Sequence, residues 1–271
     1  MSDTQTHPQT VLVTGASSGI GKAIATALHE AGFRVFGTSR SPDKHRDLPF
    51  EMLALDVQDD DSVAACLEDL MARTGRLDVL VNNAGFGLYG AVEETSMDEA
   101  KAQMETNFFG VVRTVRAALP IMREQQRGKI INISSLAGLV GVPHHAFYAA
   151  SKFAVEGFTE SLVLELEPFN ISVTLVEVGY VDTPFADHIS RPEEPLAVYD
   201  QDRETVIESA VASIRKGHDP AKLGRAVVEV ARADKPGLRK RVGADMVFIS
   251  TLKRVAPYSV FKLGLRRNYG L

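Results

Sequence analysis

The chain has 271 residues, 45% of them hydrophobic and 24% charged, with a formal net charge of −5. That balance excludes a disordered protein and fits a soluble globular one, and no run reaches the roughly 18 apolar residues that a membrane-spanning helix needs. Nine Lys+Arg and one acid lie between Lys235 and Leu271, so the preceding body carries a net −13, which argues against a general nucleic-acid binder.

The N-terminal "MSDTQTHPQT" is polar throughout and reads as a short lead-in without the apolar core of a secretory signal. "TVLVTG" (10–15) has the aliphatic, β-branched character of a buried parallel strand, and "IGKAIATALHEAG" (20–32) spaces Ile20, Ile24, Ala27 and Leu28 along one helical face. "RVFGTSR" (34–40) and "FEMLALDV" (50–57) read as strands. "DDDSVAACLEDLMARTG" (59–75) reads as a helix with an acidic first turn, which suits its dipole. Cys66 within it has no partner for a disulfide and points to a buried thiol in a reducing, cytoplasmic setting. A strand over 77–85, a long helix over about 96–125, a strand over 128–135, a helix over 146–167 and a strand over 171–179 follow.

Strand and helix alternate without a break in composition. The pattern predicts an α/β fold: a doubly wound parallel sheet of Rossmann type, three layers thick, with right-handed crossovers. One domain is expected over 1–271, with a core at 10–240. An irregular substrate loop at 184–220 carries "RPEEP", and a basic helical extension is expected at 241–271.

"TGASSGIG" (14–21) falls between the first strand and the first helix. Gly15, Gly19 and Gly21 permit a tight turn and close backbone approach, while Ser17, Ser18 and Ile20 lie where helix N–H groups would meet a pyrophosphate. The spacing is G-x-x-x-G-x-G, so the commoner dinucleotide fingerprint fits loosely, and a turn that binds nothing has the same local appearance. The second strand ends in Ser39 and Arg40 instead of the acid that favours NAD. A guanidinium pairs with a 2′-phosphate, so NADP(H) is expected over NAD(H), against the plainer reading of a solvated charge.

Tyr148 and Lys152 are one turn apart on a predicted helix and share a face. A tyrosine hydroxyl can pass a proton to or from a carbonyl, and a nearby ammonium lowers its pKa towards a useful range. Ser135, at the preceding strand end, is placed to polarise the same carbonyl. Spacing alone leaves this pair equally readable as structural.

Taken together, "TGASSGIG", "LDV" (55–57), "NNAG" (82–85), Asn107, and Ser135 with "YAASK" (148–152) resemble the short-chain dehydrogenase/reductase family, single-domain type, over roughly residues 10–185. The resemblance implies that Ser135 orients the substrate carbonyl and that Tyr148 transfers the proton. It also implies that Lys152 binds the nicotinamide ribose and acidifies Tyr148, and that Asn107 holds a water in a proton relay. Asp56 and Val57 resemble the family's adenine contacts. Asn83, Ala84 and Gly85 resemble its cofactor-side turn, and Gly179, Val181 and Thr183 its nicotinamide-facing loop. Ser134 is the wrong serine by the family's spacing and is assigned to scaffold. One departure is Val178, where the family has proline, and its loss of a fixed φ is expected to loosen the following turn.

The expected activity is NADPH-dependent interconversion of a carbonyl and an alcohol. The mostly apolar Leu136, Leu139, Val142, Tyr180, Phe185 and Tyr199 suggest a lipophilic ketone or aldehyde, while His144 and His145 read more readily as solvated loop residues. The alternative is a non-catalytic NADP(H)-binding regulatory protein on the same fold, which retention of both Tyr148 and Lys152 speaks against. No cluster has metal-ligand spacing. The amphipathic tail, broken at Pro257, is expected to pack on the acidic body or a partner subunit, ahead of lying on an anionic membrane. Phe108, Phe109, Phe153, Phe158 and Leu162 are candidates for core or for the interface of a homodimer or homotetramer.

Overall fold

Adjacent residues of a strand point to opposite faces, yet Val11, Leu12 and Val13 are all buried. Both faces of β1 (Thr10–Val13) are therefore covered, as the unbroken apolar run requires. The computed structural model describes residues 8–271, and the first seven residues of the polar lead-in lie outside them.

Six further strands join β1: β2 (Arg34–Ser39), β3 (Glu51–Ala54), β4 (Val79–Asn82), β5 (Gly128–Ile133), β6 (Ile171–Val178) and β7 (Arg239–Val242). They form one sheet in the order β3-β2-β1-β4-β5-β6-β7, with every neighbouring pair parallel. The winding direction reverses between β1 and β4, which opens a crevice at the carboxyl ends of these strands.

The helices are α1 (Gly19–Glu30), α2 (Asp60–Thr74), α3 (Met97–Met104), α4 (Gly110–Glu124), α5 (Ala146–Leu166), α6 (Asp200–Arg215), α7 (Pro220–Arg232), α8 (Ala244–Val255) and α9 (Tyr258–Tyr269). Ile24 and Leu28 of α1 and Leu223 and Val227 of α7 pack on Val11, Val13, Val79 and Val81. Leu70 of α2, Val115 of α4 and Leu162 of α5 cover Leu12, Leu80, Ile130 and Leu175 on the other face. Each such side chain contributes about 1.5–3 kcal/mol on full burial, and the expected doubly wound, three-layer single domain results.

Several expectations change in detail. The β2–β3 connection holds only a short 3-10 turn, Pro42–His45, so strand and helix do not alternate throughout. The helix expected over 96–125 starts with a capping box, Ser96 with Glu99. It is then interrupted by one π turn, Glu105–Phe109, before α4 begins. Residues 184–220 include the 16-residue α6 and are less irregular than expected.

Strand β7 was not anticipated, because "RKRV" has three cations and one buried valine. Its charges are consumed by the body. Arg239 pairs with Glu156, Glu160 and Glu177, Arg241 with Glu177 at 2.7 Å, and Lys240 with Glu229 at 2.6 Å. For this stretch the expected packing of the basic tail on the acidic body holds. Val178 pairs with Val242 at the end of the β6–β7 ladder. Beyond it, Asp182 N–H donates to the His218 carbonyl at 3.0 Å and His218 N–H to the Tyr180 carbonyl at 2.9 Å, which ties the turn down.

Leu162 is core, and Phe108 and Phe158 pack against it, whereas Phe109 and Phe153 are exposed. Cys66 is buried, and burial first, with Asp69 adding, pushes its thiol up to about 12, leaving it unreactive. Among the described residues no helix is long and apolar enough to cross a membrane.

A buried polar chain fastens α4 and α5 to the middle of the sheet. Thr114 Oγ1 donates to Asn82 Oδ1 at 2.7 Å, Asn82 Nδ2 to Asn132 Oδ1 at 2.9 Å, and Asn132 Nδ2 to Thr159 Oγ1 at 2.9 Å. Truncating Asn132 strands partners on both sides, each costing about 1–3 kcal/mol. Asn132→Ala is therefore expected to lower the urea midpoint at unchanged slope, corresponding to a loss of about 2 kcal/mol or more.

Candidate active site

The carboxyl ends of β1 and β4 are clasped together. Thr14 Oγ1 accepts from the N–H groups of Asn83 and Ala84 at 2.9 and 3.0 Å, and Asn83 Nδ2 donates to the carbonyls of Thr14 and Gly15 at 3.0 and 3.1 Å. Gly15 has φ +66°, a left-handed value that admits few side chains. A Cβ on Gly21 would lie 2.2 Å from the Gly15 carbonyl oxygen and 2.4 Å from Asn83 Nδ2, so both glycines are required for the turn to close. Ser18 begins α1 without a side-chain cap, which leaves the first-turn N–H groups facing the cleft.

This turn forms the floor of a cleft of about 720 Å³. Gly15, Ser17, Ser18, Gly19, Ile20, Gly21, Ser39, Arg40, Asp56, Val57, Asn83, Ala84, Gly85, Ser135, Tyr148, Lys152, Gly179 and Thr183 all line it, as expected from the sequence. Two predicted site residues do not. Val181 is buried in the wall of a neighbouring pocket, and Asn107 lies behind the cleft. Sequence reasoning missed Ser41, Lys44 and His45, which line the cleft beside the exposed Arg40. Lys44 and His45, four and five positions after Arg40, were the available signal. Asp56 is fixed by its N–H to Ser62 Oγ at 2.9 Å and by accepting from Gln58 N–H at 3.0 Å.

Asn107 sits in the π turn, almost fully buried. Its Oδ1 accepts from Phe86 N–H at 3.0 Å, and its Nδ2 donates to the Phe86 carbonyl at 3.0 Å and to Ser151 Oγ at 3.2 Å. Both amide hydrogens are thus spent on the chain, and the side chain's visible work is to hold the segment after "NNAG".

Ser135, at the end of β5, accepts from Ala137 N–H at 3.1 Å and stands beside Tyr148 in the cleft wall. Lys152 is buried, donates to the Ile133 carbonyl at 3.0 Å, and places Nζ 5.8 Å from the Tyr148 ring centroid. Burial brings the Lys152 ammonium down to about 8 against the opposing pull of Glu156. Burial also raises Tyr148, with the Ser135 hydroxyl acting the other way. Ser134 is buried with its hydroxyl on Glu156, in keeping with scaffold.

A second cavity of about 130 Å³ adjoins the cleft, and Ser135 and Tyr148 stand in the wall common to both. Leu136, Val142, Tyr180 and Phe185 line it as expected, His145 lines it as well, and Leu139, His144 and Tyr199 do not. Tyr89, Ile214 and Tyr269 complete it, distant positions that no motif marks. Tyr269, from α9, shares a 2.9 Å hydroxyl–hydroxyl contact with Tyr180. The reading of His145 as a solvated loop residue is overturned. It is only 4% exposed, stacked between Tyr89 at 3.8 Å and Tyr148 at 4.3 Å. Burial drives its pKa to about 3, so the ring is neutral. His144 is half-buried with its pKa lowered by the same cause.

Residues 9–194 match the sequence profile of the family described as short chain dehydrogenase. The chain belongs to that family. Like its members, this short-chain dehydrogenase is a nicotinamide-dependent oxidoreductase. It is 42% identical over 270 residues to the 3-ketodihydrosphingosine reductase of Bacteroides thetaiotaomicron, covering 98% of this chain and 99% of that protein. The crystal structure of a short-chain dehydrogenase from Streptomyces avermitilis superposes with a TM-score of 0.83 at 34% identity, over 97% of this chain and 99% of that one. A metagenomic short-chain oxidoreductase in complex with NADP superposes with a TM-score of 0.69 at 32% identity, over 86% and 96%. The cradle that a Cβ on Gly21 would fill, and the uncapped start of α1, fit the pyrophosphate of such a cofactor.

Proposed function

We propose that this short-chain dehydrogenase reduces a lipophilic ketone or aldehyde to an alcohol with NADPH, and that the reverse reaction uses the same site. The observation that carries this reading is the place of Ser135 and Tyr148 in the wall shared by a nucleotide-sized cleft and a mostly apolar pocket. A carbonyl entering that pocket meets both hydroxyls. The cofactor supplies the hydride.

Ser135 donates to the carbonyl oxygen and polarises it as negative charge develops. Tyr148 then gives its proton to the nascent alkoxide. Burial holds its phenol protonated near neutrality, which favours donation and hence reduction. Lys152 holds positive charge beneath the ring and is the residue to engage the nicotinamide ribose. Asn107 keeps the "NNAG" segment in place and, with it, the cofactor-facing wall; the water it would hold belongs to the same proposed proton relay. The Bacteroides relative's reduction of 3-ketodihydrosphingosine, a ketone, supports the direction and the lipophilic substrate class. Retention of Tyr148 and Lys152 in one site gives the non-catalytic alternative no footing.

Arg40, with Lys44 and His45 beside it, is the proposed partner of the 2′-phosphate. Exposed Phe109 and Phe153 are proposed to face a second copy of the chain. Sedimentation of the purified protein is expected to show a dimer or tetramer, and a monomer at micromolar concentration refutes this.

Tyr148→Phe is expected to bind NADPH as before while turnover falls roughly 100-fold to 10,000-fold in a screen of ketones and aldehydes followed by NADPH oxidation. Full turnover in that variant would remove the proposed mechanism. Arg40→Ala is expected to weaken NADPH by about 10-fold to 100-fold, with NADH affinity little changed. Equal effects on the two cofactors in a binding titration would show that Arg40 does not read the phosphate.

A further inference from the structure

A lysine buried beneath the cleft raises a question that the catalytic motif leaves open: what keeps it charged. Lys152 has one hydrogen bond, to the Ile133 carbonyl, and desolvation works against its ammonium. One turn further along α5 is Glu156, buried, whose carboxylate receives the Ser134 hydroxyl on one oxygen and Arg239 on the other. Arg239 also reaches Glu160 and the fully buried Glu177, and Arg241 donates to Glu177 at 2.7 Å.

Arg239 and Arg241 thus face Glu156, Glu160 and Glu177 in one ion-paired cluster across α5, β6 and β7. Its outer end is open to solvent at Glu160, and its inner end, Glu156, lies one turn of α5 from the buried active-site lysine. Tyr148 on α5 and Ser134 and Ser135 at the end of β5 line the cleft together with Lys152. From α8, Lys253 lies over Phe153 and bonds the Leu139 carbonyl.

We propose that Glu156 is a positioning residue for Lys152, its carboxylate keeping the buried ammonium protonated while Arg239 keeps that carboxylate ionised. The proposal rests on the Tyr148–Lys152 reading of the site. It gives β7, which no motif marks, a role in the chemistry. Removing Arg239 would leave Glu156 and Glu177 facing each other across a dry interior, and Glu156 would take up a proton. Removing the Glu156 charge instead leaves Lys152 with desolvation alone, and the ammonium gives up its proton at lower pH. Lys152 loses charge as pH rises through its folded value, so the proposed coupling extends activity towards alkaline pH.

The test reads Lys152 directly. The full chain is labelled with 13C at lysine Cε, the Lys152 resonance is assigned by its loss in Lys152→Arg, and its titration midpoint is measured without turnover. The wild type is expected to titrate near pH 8, and Glu156→Gln about one pH unit lower. The alkaline limb of kcat/KM for NADPH oxidation is expected to move with it, while Glu156→Asp keeps the limb near its wild-type position. A Lys152 midpoint unchanged in Glu156→Gln, even with a lower Tm, overturns the proposal and leaves Glu156 purely structural. If Glu156→Gln does not fold, Ser134→Ala decides: it removes only the hydroxyl that supports the carboxylate. A smaller fall of the Lys152 midpoint then supports the coupling, and no fall overturns it. Should Tyr148→Phe keep full turnover, the catalytic reading fails on its own, since the Lys152 midpoint is read independently.

Discussion

The gap between β1 and β4 governs everything else in this molecule. Parallel strands whose crossovers leave in opposite directions cannot be bridged by a helix at that point, so the sheet opens at its carboxyl edge. The chain closes the opening with backbone and a few short side chains: Thr14 and Asn83 clasp the two strand ends, and Gly15 and Gly21 keep the clasp thin. The result is a shelf of N–H groups at the start of α1, with space above it for a dinucleotide.

Around that gap the fold is held by two unlike kinds of burial. The aliphatic faces of the sheet supply the bulk of the driving force through area removed from water. Inserted into them are polar chains that add little net energy but are costly to break. Thr114, Asn82, Asn132 and Thr159 form one, and the carboxylates and cations meeting at Arg239 form the other. Such networks fix register. They hold α4 and α5 at one setting against β4, β5 and β6, and so fix where Ser135 and Tyr148 meet.

What was legible in the sequence had a local cause. The glycine turn, the "NNAG" turn and the Tyr148–Lys152 spacing each depend on a few consecutive residues, and each lies where it was expected. The features that escaped depend on neighbours far along the chain. "RKRV" reads as surface until Glu156 and Glu177 are seen waiting for it. His145 looks like a polar loop residue until Tyr89 and Tyr148 enclose its ring. Tyr269 carries no signal, because its partner Tyr180 is 89 positions away.

The π turn at Glu105–Phe109 works as a phase shift. Before it, Gln103 must face inward to hold Phe86 and Leu88, and after it Thr114 must face inward to reach Asn82. An α-helix advances about 100° per residue, so one residue more or less swings a whole segment away from the partner it serves. The single wide turn sets the angle between those two segments, with Asn107 at its centre engaging Phe86 and Ser151. Deleting one residue there would give a more regular helix and a worse protein. The segment tolerates changes of side chain on its outer face but not changes of length, the opposite of what a surface loop allows.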